Sequence, residues 1–299
     1  MYFYSIYGLM VASEFPLPEL LAIEDVYSPD VVIQNGEIPN PFPHQSYFCA
    51  LEDRFIIAVE DVARFALHDG REIVVDREAG AHDDTLRLYL LGSAFGALLH
   101  QRGFLPLHAS CVAAPDRTML FCGHSGAGKS TLAAALCRNT GYQFLADDIS
   151  VLRLENETPM IYPGYPQLKL WHNSVEKLEM NAQDFRRVRP AVEKFAVPLR
   201  DQFTDQQRPF HVIYLLTPSD VPTITLTPLK GIEKLLAIKK DIYRAEFLDV
   251  IDPKNSYFQT AASLLNTVRV VRVVRPIEGF HLDALVEAIQ RDAQLIELL

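Results

Sequence analysis

The sequence predicts an α/β chain in two parts: a small β-rich domain over residues 1–85, then a larger domain with a mixed sheet over 86–299. Three features carry that expectation. Short strand-like runs separated by turn residues fill the first part. Residues 119–138 read in order as an apolar run, a glycine-rich loop and a helix-like run. From Leu105 onward strand-like and helix-like runs alternate.

In the first part, residues 2–12 and 30–34 read as strands, the second stopped by Asn35-Gly36. Residues 55–59, 64–68 and 72–75 follow, and Asp69-Gly70 is a hairpin turn between the last two. The proline-rich stretch 38–43 is a loop. The mixed apolar and polar pattern fits an antiparallel sheet with one face in solvent. Residues 86–100 are apolar nearly all round, which predicts a buried helix linking the two parts over 86–103. Gly92 and Gly96 share one face of it and predict close packing against a neighbour.

In the second part, 107–113 and 119–122 are strands joined by a turn at Asp116-Arg117. The helix after the loop ends at Asn139-Thr140-Gly141, where glycine suits the C-terminal cap. Residues 144–146 lead into Asp147-Asp148, and 149–154 continue as a strand. Pro163-Gly164-Tyr165-Pro166 is a turn, followed by a strand at 167–170. The polar, uneven stretch 171–205 predicts a mobile functional loop. Strands at 211–216, 223–226 and 270–274 and helices at 256–268 and 282–298 complete the chain.

A net charge of −10 and the lack of clustered Lys and Arg exclude a general nucleic-acid or anionic-membrane surface. No run of about 18 apolar residues exists, so no membrane span is expected. Cys49, Cys111, Cys122 and Cys137 show neither metal-ligand spacing nor a C-x-x-C pair. With no basic n-region ahead of the aromatic start, the expected location is the cytoplasm. A homo-oligomer is compatible with the sequence and not demanded by it.

Residues 123–131, GHSGAGKST, satisfy G-x-x-x-x-G-K-[ST], the phosphate-binding loop. A chance match in a chain of this length is roughly a one-per-cent event. The expected nucleotide site is Gly123, His124, Ser125, Gly126, Ala127, Gly128, Lys129, Ser130 and Thr131. Gly126 and Gly128 let backbone N–H groups turn toward phosphate oxygens, and the helix adds its positive end. Lys129 reaches the β- and γ-phosphates of ATP, and the Ser130 hydroxyl ligates Mg²⁺.

Asp147-Asp148 begins eighteen residues after Lys129, at the end of an apolar segment. On an extended backbone the two side chains point in different directions. One carboxylate then serves Mg²⁺, and the other accepts the proton of an attacking hydroxyl. The bland alternative is a solvated turn or helix cap. Lys169, Lys194 and Arg244 are candidate cations for the migrating phosphoryl group, with Lys194 favoured because it lies in the stretch 171–205.

These features resemble the HPr kinase/phosphorylase catalytic domain, and more closely its relatives among bacterial peptide and protein serine kinases, including those associated with lasso-peptide precursors. The resemblance runs over about residues 105–170. It rests on Leu107-His108-Ala109-Ser110, the loop, Leu145-Ala146-Asp147-Asp148, Pro163-Gly164-Tyr165-Pro166 and Leu168-Lys169-Leu170-Trp171. It implies a phosphoenolpyruvate-carboxykinase-like P-loop fold and Mg·ATP-dependent phosphorylation of a serine hydroxyl on a peptide or protein. By position it implies His108 as the family histidine, Asp147 as the catalytic carboxylate and Asp148 as the one beside the metal. Two features depart from the family. The segment aligned with its metal-binding glutamate, Met160-Ile161-Tyr162-Pro163-Gly164, holds no acid, and the first hundred residues differ from the family's N-terminal domain. A small-molecule kinase and a non-catalytic ATP-binding regulatory module are the competing readings. The intact Lys129, Ser130 and Asp147-Asp148 oppose the latter.

Overall fold

The computed structural model describes every residue except 25–26, 43, 140, 190–191, 253, 278–280 and 296–299. The expectations at Pro43, at Thr140 and for the end of the last helix lie outside the described residues. The chain is α/β with four sheets among the described residues, two of them mixed, and its N-terminal region is β-rich.

The first sheet takes its strands in the order Leu21–Ala22, Tyr2–Ile6, Leu9–Ser13, Val31–Asn35, Glu72–Arg77, Ala63–His68, Arg54–Val59, Tyr47–Leu51. The single strand expected at 2–12 is a hairpin. Tyr7 and Gly8 both take positive φ, 53° and 72°, and a Cβ on Gly8 would sit 2.3 Å from the Tyr162 ring. The Asp69-Gly70 turn is present with φ of 50° and 63°. The sheet is mixed rather than antiparallel, because Leu9–Ser13, Val31–Asn35 and Glu72–Arg77 pair in parallel. That pairing joins segments distant in sequence, so no hairpin pattern could announce it.

The buried helix forms as Asp83–Tyr89, a π turn at Leu90–Ala94, and Phe95–Gln101. Its two glycines meet the same neighbour: a Cβ on Gly92 would lie 3.2 Å from the Tyr243 hydroxyl, and one on Gly96 2.7 Å from the Tyr243 ring. Ile6, Val11, Ile33, Phe65 and Ile73 of the first sheet pack with Phe95 and Leu98 of the helix. The same cluster continues through Ile149, Val151, Tyr162 and Tyr243. One core therefore runs across residue 85.

A six-stranded sheet carries the loop, in the order Gln143–Ala146, Ala109–Ala113, Thr118–Cys122, Val212–Ser219, Arg269–Pro276, Thr225–Pro228. One face packs on the helices Lys129–Asn139 and Leu282–Gln294 through Leu132, Leu136, Leu285 and Ile289. The other packs on Ile232–Ile238 and Ser256–Thr267. A four-stranded sheet (Arg208–Pro209, Thr158–Tyr162, Ser150–Glu155, Leu105–Leu107) adjoins it.

The stretch expected as a mobile loop is built instead. It holds a helix, His172–Lys177, and two strands, Arg186–Arg189 and Val192–Pro198, the second paired to Gln167–Trp171. Phe195, Ala196 and Val197 are buried and supply its apolar part, while Glu193, near the start of the strand, is exposed. Among the described residues no helix is long and apolar enough to cross a membrane.

Candidate active site

The strand Thr118–Cys122 is wholly buried between Ala109–Ala113 and Val212–Ser219, and it delivers Gly123 at its C-terminal end. Gly123 takes φ 138°, and a Cβ there would lie 2.6 Å from the Leu216 carbonyl oxygen. Gly126 and Gly128 take φ of 84° and 99°, a region that favours glycine. The helix begins at Lys129, so its free N–H groups face the loop's hollow.

Several groups brace the loop. Arg275 donates to the Ala127 carbonyl through Nε at 3.1 Å and a terminal nitrogen at 2.8 Å. Asp241 Oδ1 accepts the Gly123 N–H at 2.9 Å. Lys129 Nζ donates to the carbonyls of Gly123 at 2.7 Å and His124 at 3.3 Å. Burial pulls the Lys129 ammonium below the usual lysine range, against the attraction of Asp147 and Asp241. His124 stays exposed, its ring nitrogen 2.7 Å from the Ser125 carbonyl.

The two carboxylates follow Gln143–Ala146, which pairs with Ala109–Ala113. Asp147 is buried, and Oδ1 accepts from the hydroxyls of Ser110 at 2.5 Å and Ser130 at 2.8 Å. Its Oδ2 accepts the Lys169 N–H at 2.9 Å. Asp148 has φ 70° and points elsewhere. Its Oδ2 accepts from Lys169 Nζ at 2.7 Å, and its Oδ1 lies 3.6 Å from His108 Nε2. Burial pushes the Asp148 carboxyl up, but Lys169, Lys194 and His108 outweigh it and hold the group well below the carboxylate range. Lys169, also buried, is held above the usual lysine range by Asp148. Burial, then Lys129, pushes the His108 imidazole down despite the Asp148 carboxylate.

One hollow brings together His108, Ser125, Lys129, Ser130, Asp147, Asp148, Lys169 and Lys194. Lys194 stands opposite Trp171 in the strand register, its ammonium 5.8 Å from the indole. Thr131 donates to the Ser174 hydroxyl at 2.9 Å. Arg244 does not line the hollow, and its guanidinium lies 3.4 Å from Glu246. The side chain bonded to Ser130 is Asp147, not Asp148.

Ser110, Asp241 and Arg275 are contacts that sequence reasoning missed. Ser110 had a usable signal, since it lies two residues after His108, the spacing of one strand face. Asp241 had none, being 118 residues from the glycine it holds.

Residues 119–221 match the family described as an AAA domain. That stretch holds the loop, its helix and both carboxylates. The chain carries a P-loop domain. No curated protein matches the sequence. Among solved structures the chain is similar to the Hpr(Ser) kinase/phosphatase from Coxiella burnetii, at 17% identity and a TM-score of 0.35, over 64% of this chain and 90% of that one.

Proposed function

We propose that the protein is an ATP-dependent kinase that transfers the γ-phosphate to a serine hydroxyl of a peptide or protein, with a ribosomally made precursor peptide as the narrower candidate acceptor. The observation that carries this reading is the meeting of Lys129 and Ser130 with Asp147, Asp148, Lys169 and His108 in one hollow. A loop that only bound nucleotide would need no such set of groups facing its phosphates.

ATP lies with its phosphates on the N–H groups of residues 126–131. Lys129 exchanges its two carbonyl partners for the β- and γ-phosphates. The donor set fits Mg²⁺. Ser130 and Asp147 supply a hydroxyl and a carboxylate 2.8 Å apart, and Mg²⁺ takes one or two carboxylates besides phosphate oxygens and water. When bound, Mg²⁺ neutralises charge between the β- and γ-phosphates.

The roles that the resemblance implies for the two carboxylates are exchanged in this reading. Asp147, already accepting three hydrogen bonds, orients Ser130 at the metal. Asp148 and His108 form the pair on the acceptor side. The imidazole is neutral at pH 7 and takes the serine proton, while the ionised Asp148 stabilises the imidazolium. Lys194 approaches the migrating group from the rim.

The test is transfer of label from γ-labelled ATP with Mg²⁺ to serine-bearing peptides and, in parallel, to small hydroxyl metabolites. Phosphoserine formation that stops in His108→Asn and Asp147→Asn, both still binding ATP, is the expected result. Label on metabolites alone would replace the peptide acceptor. Unimpaired transfer by His108→Asn would remove the proposed proton acceptor.

A further inference from the structure

The residue that joins the phosphate loop to the acceptor side lies in neither. Asp241 ends a short 3₁₀ turn, Lys239–Asp241, after the helix Ile232–Ile238. Its carboxylate accepts the Gly123 N–H at 2.9 Å, and its backbone carbonyl accepts the His108 N–H at 2.7 Å. The next residues continue alongside 105–108: Leu107 and Ile242 form an isolated antiparallel bridge, and Tyr243 N–H donates to the Pro106 carbonyl at 2.9 Å. The Tyr243 ring then lies 6.0 Å from the His108 ring, and its carbonyl bonds His100 Nε2 at 2.7 Å.

We propose that Asp241 is a positioning residue of the nucleotide site, fixing the distance between the phosphate loop and His108 by holding one N–H of each. The inference rests on the kinase reading for its consequence. A carboxylate close to a polyphosphate weakens nucleotide binding by like-charge repulsion, so charge does not explain its place. The hydrogen bond does. Gly123 is the first residue of the loop, and its N–H points away from the hollow formed by the later glycines. Lys129 grips the carbonyl of the same glycine, so Gly123 is held on both sides of its Cα. An amide at position 241 keeps the acceptor oxygen and drops the charge. Alanine drops both, while the backbone arm to His108 survives in either variant.

In the full chain with Mg²⁺, equilibrium titration should find Asp241→Asn binding ATP within about threefold of the unaltered protein or more tightly, and Asp241→Ala about tenfold more weakly. Undiminished binding by Asp241→Ala overturns the proposal, as does Asp241→Asn as weak as Asp241→Ala. Hydrogen exchange at the Gly123 amide of the unaltered, nucleotide-free chain decides even where Asp241→Ala does not fold. Slow exchange supports the contact, and exchange as fast as at Gly126 overturns it. That arm needs no ATP, so it separates this proposal from the kinase reading, which fails on its own if the unaltered chain binds no ATP.

Discussion

The phosphate loop is one continuous stretch whose glycines at 123, 126 and 128 set its shape locally. The wall facing it draws His108, Lys169 and Lys194 from separate strands and turns, and it exists only once those segments have packed. On the loop side Lys129 rests on neutral carbonyls, while carboxylates take the Ser130 hydroxyl and the Gly123 N–H. The facing side is a buried ion pair with a histidine beside it. Substitutions in the first should act on nucleotide binding, and substitutions in the second on folding as well as chemistry.

The largest effect is expected at Lys129→Ala, with transfer reduced by ~10³-fold or more and little change in melting temperature. A parallel collapse of stability would erase the distinction between the walls. Next comes Asp148→Asn, which leaves the buried Lys169 ammonium without its counter-charge. Chemical denaturation should register a loss of about 3 kcal/mol, and a loss within measurement error would show that the pair is not a structural one.

Gly96→Ala tests the facing wall from behind. Its Cβ would press on the Tyr243 ring at 2.7 Å, an overpacking cost of about 2 kcal/mol. Lower stability with slower transfer and nearly unchanged ATP affinity would sharpen the comparison. Lys194→Met removes an ammonium that lies 5.8 Å from the Trp171 ring and acts on Asp148 only through its charge; it should slow transfer about tenfold and leave stability nearly alone.

The smallest effect is in pH. Burial and Lys129 depress His108, so the folded protein binds that proton less readily than the unfolded chain. As pH falls below about 6.5, this histidine therefore costs stability. If it takes the serine proton, the acid limb of kcat/KM for ATP, which reports the nucleotide-free protein, should have its midpoint below about 6.5 as well. A midpoint above that value would contradict the depressed state of the imidazole.

The contrast between the walls also explains what the sequence makes legible. The loop can be read because its chemistry and geometry are both local, with glycine needed at positive φ and lysine and serine at fixed offsets. Asp147-Asp148 is readable because one helix separates it from the loop. The choice between the two carboxylates is not, since it depends on where Ser110 and Lys169 arrive from other strands. Asp241 follows Lys239-Lys240, a run indistinguishable from a solvated turn until the fold closes. The strand Val192–Pro198 hides for a related reason: only Phe195 to Val197 are buried, too few to break the polar impression of their surroundings. Parallel pairing in the first sheet leaves no mark on the linear chain.

The core that runs from Ile6 and Phe65 through Phe95 to Tyr162 and Tyr243 bears on how such a chain can evolve. A recombination event that exchanged the first eighty or so residues would have to bring a matching apolar surface, including room for Tyr162 against a glycine such as Gly8. A sheet without that surface would strip apolar cover from Ile149, Val151 and Tyr162, in the segments that follow Asp147-Asp148.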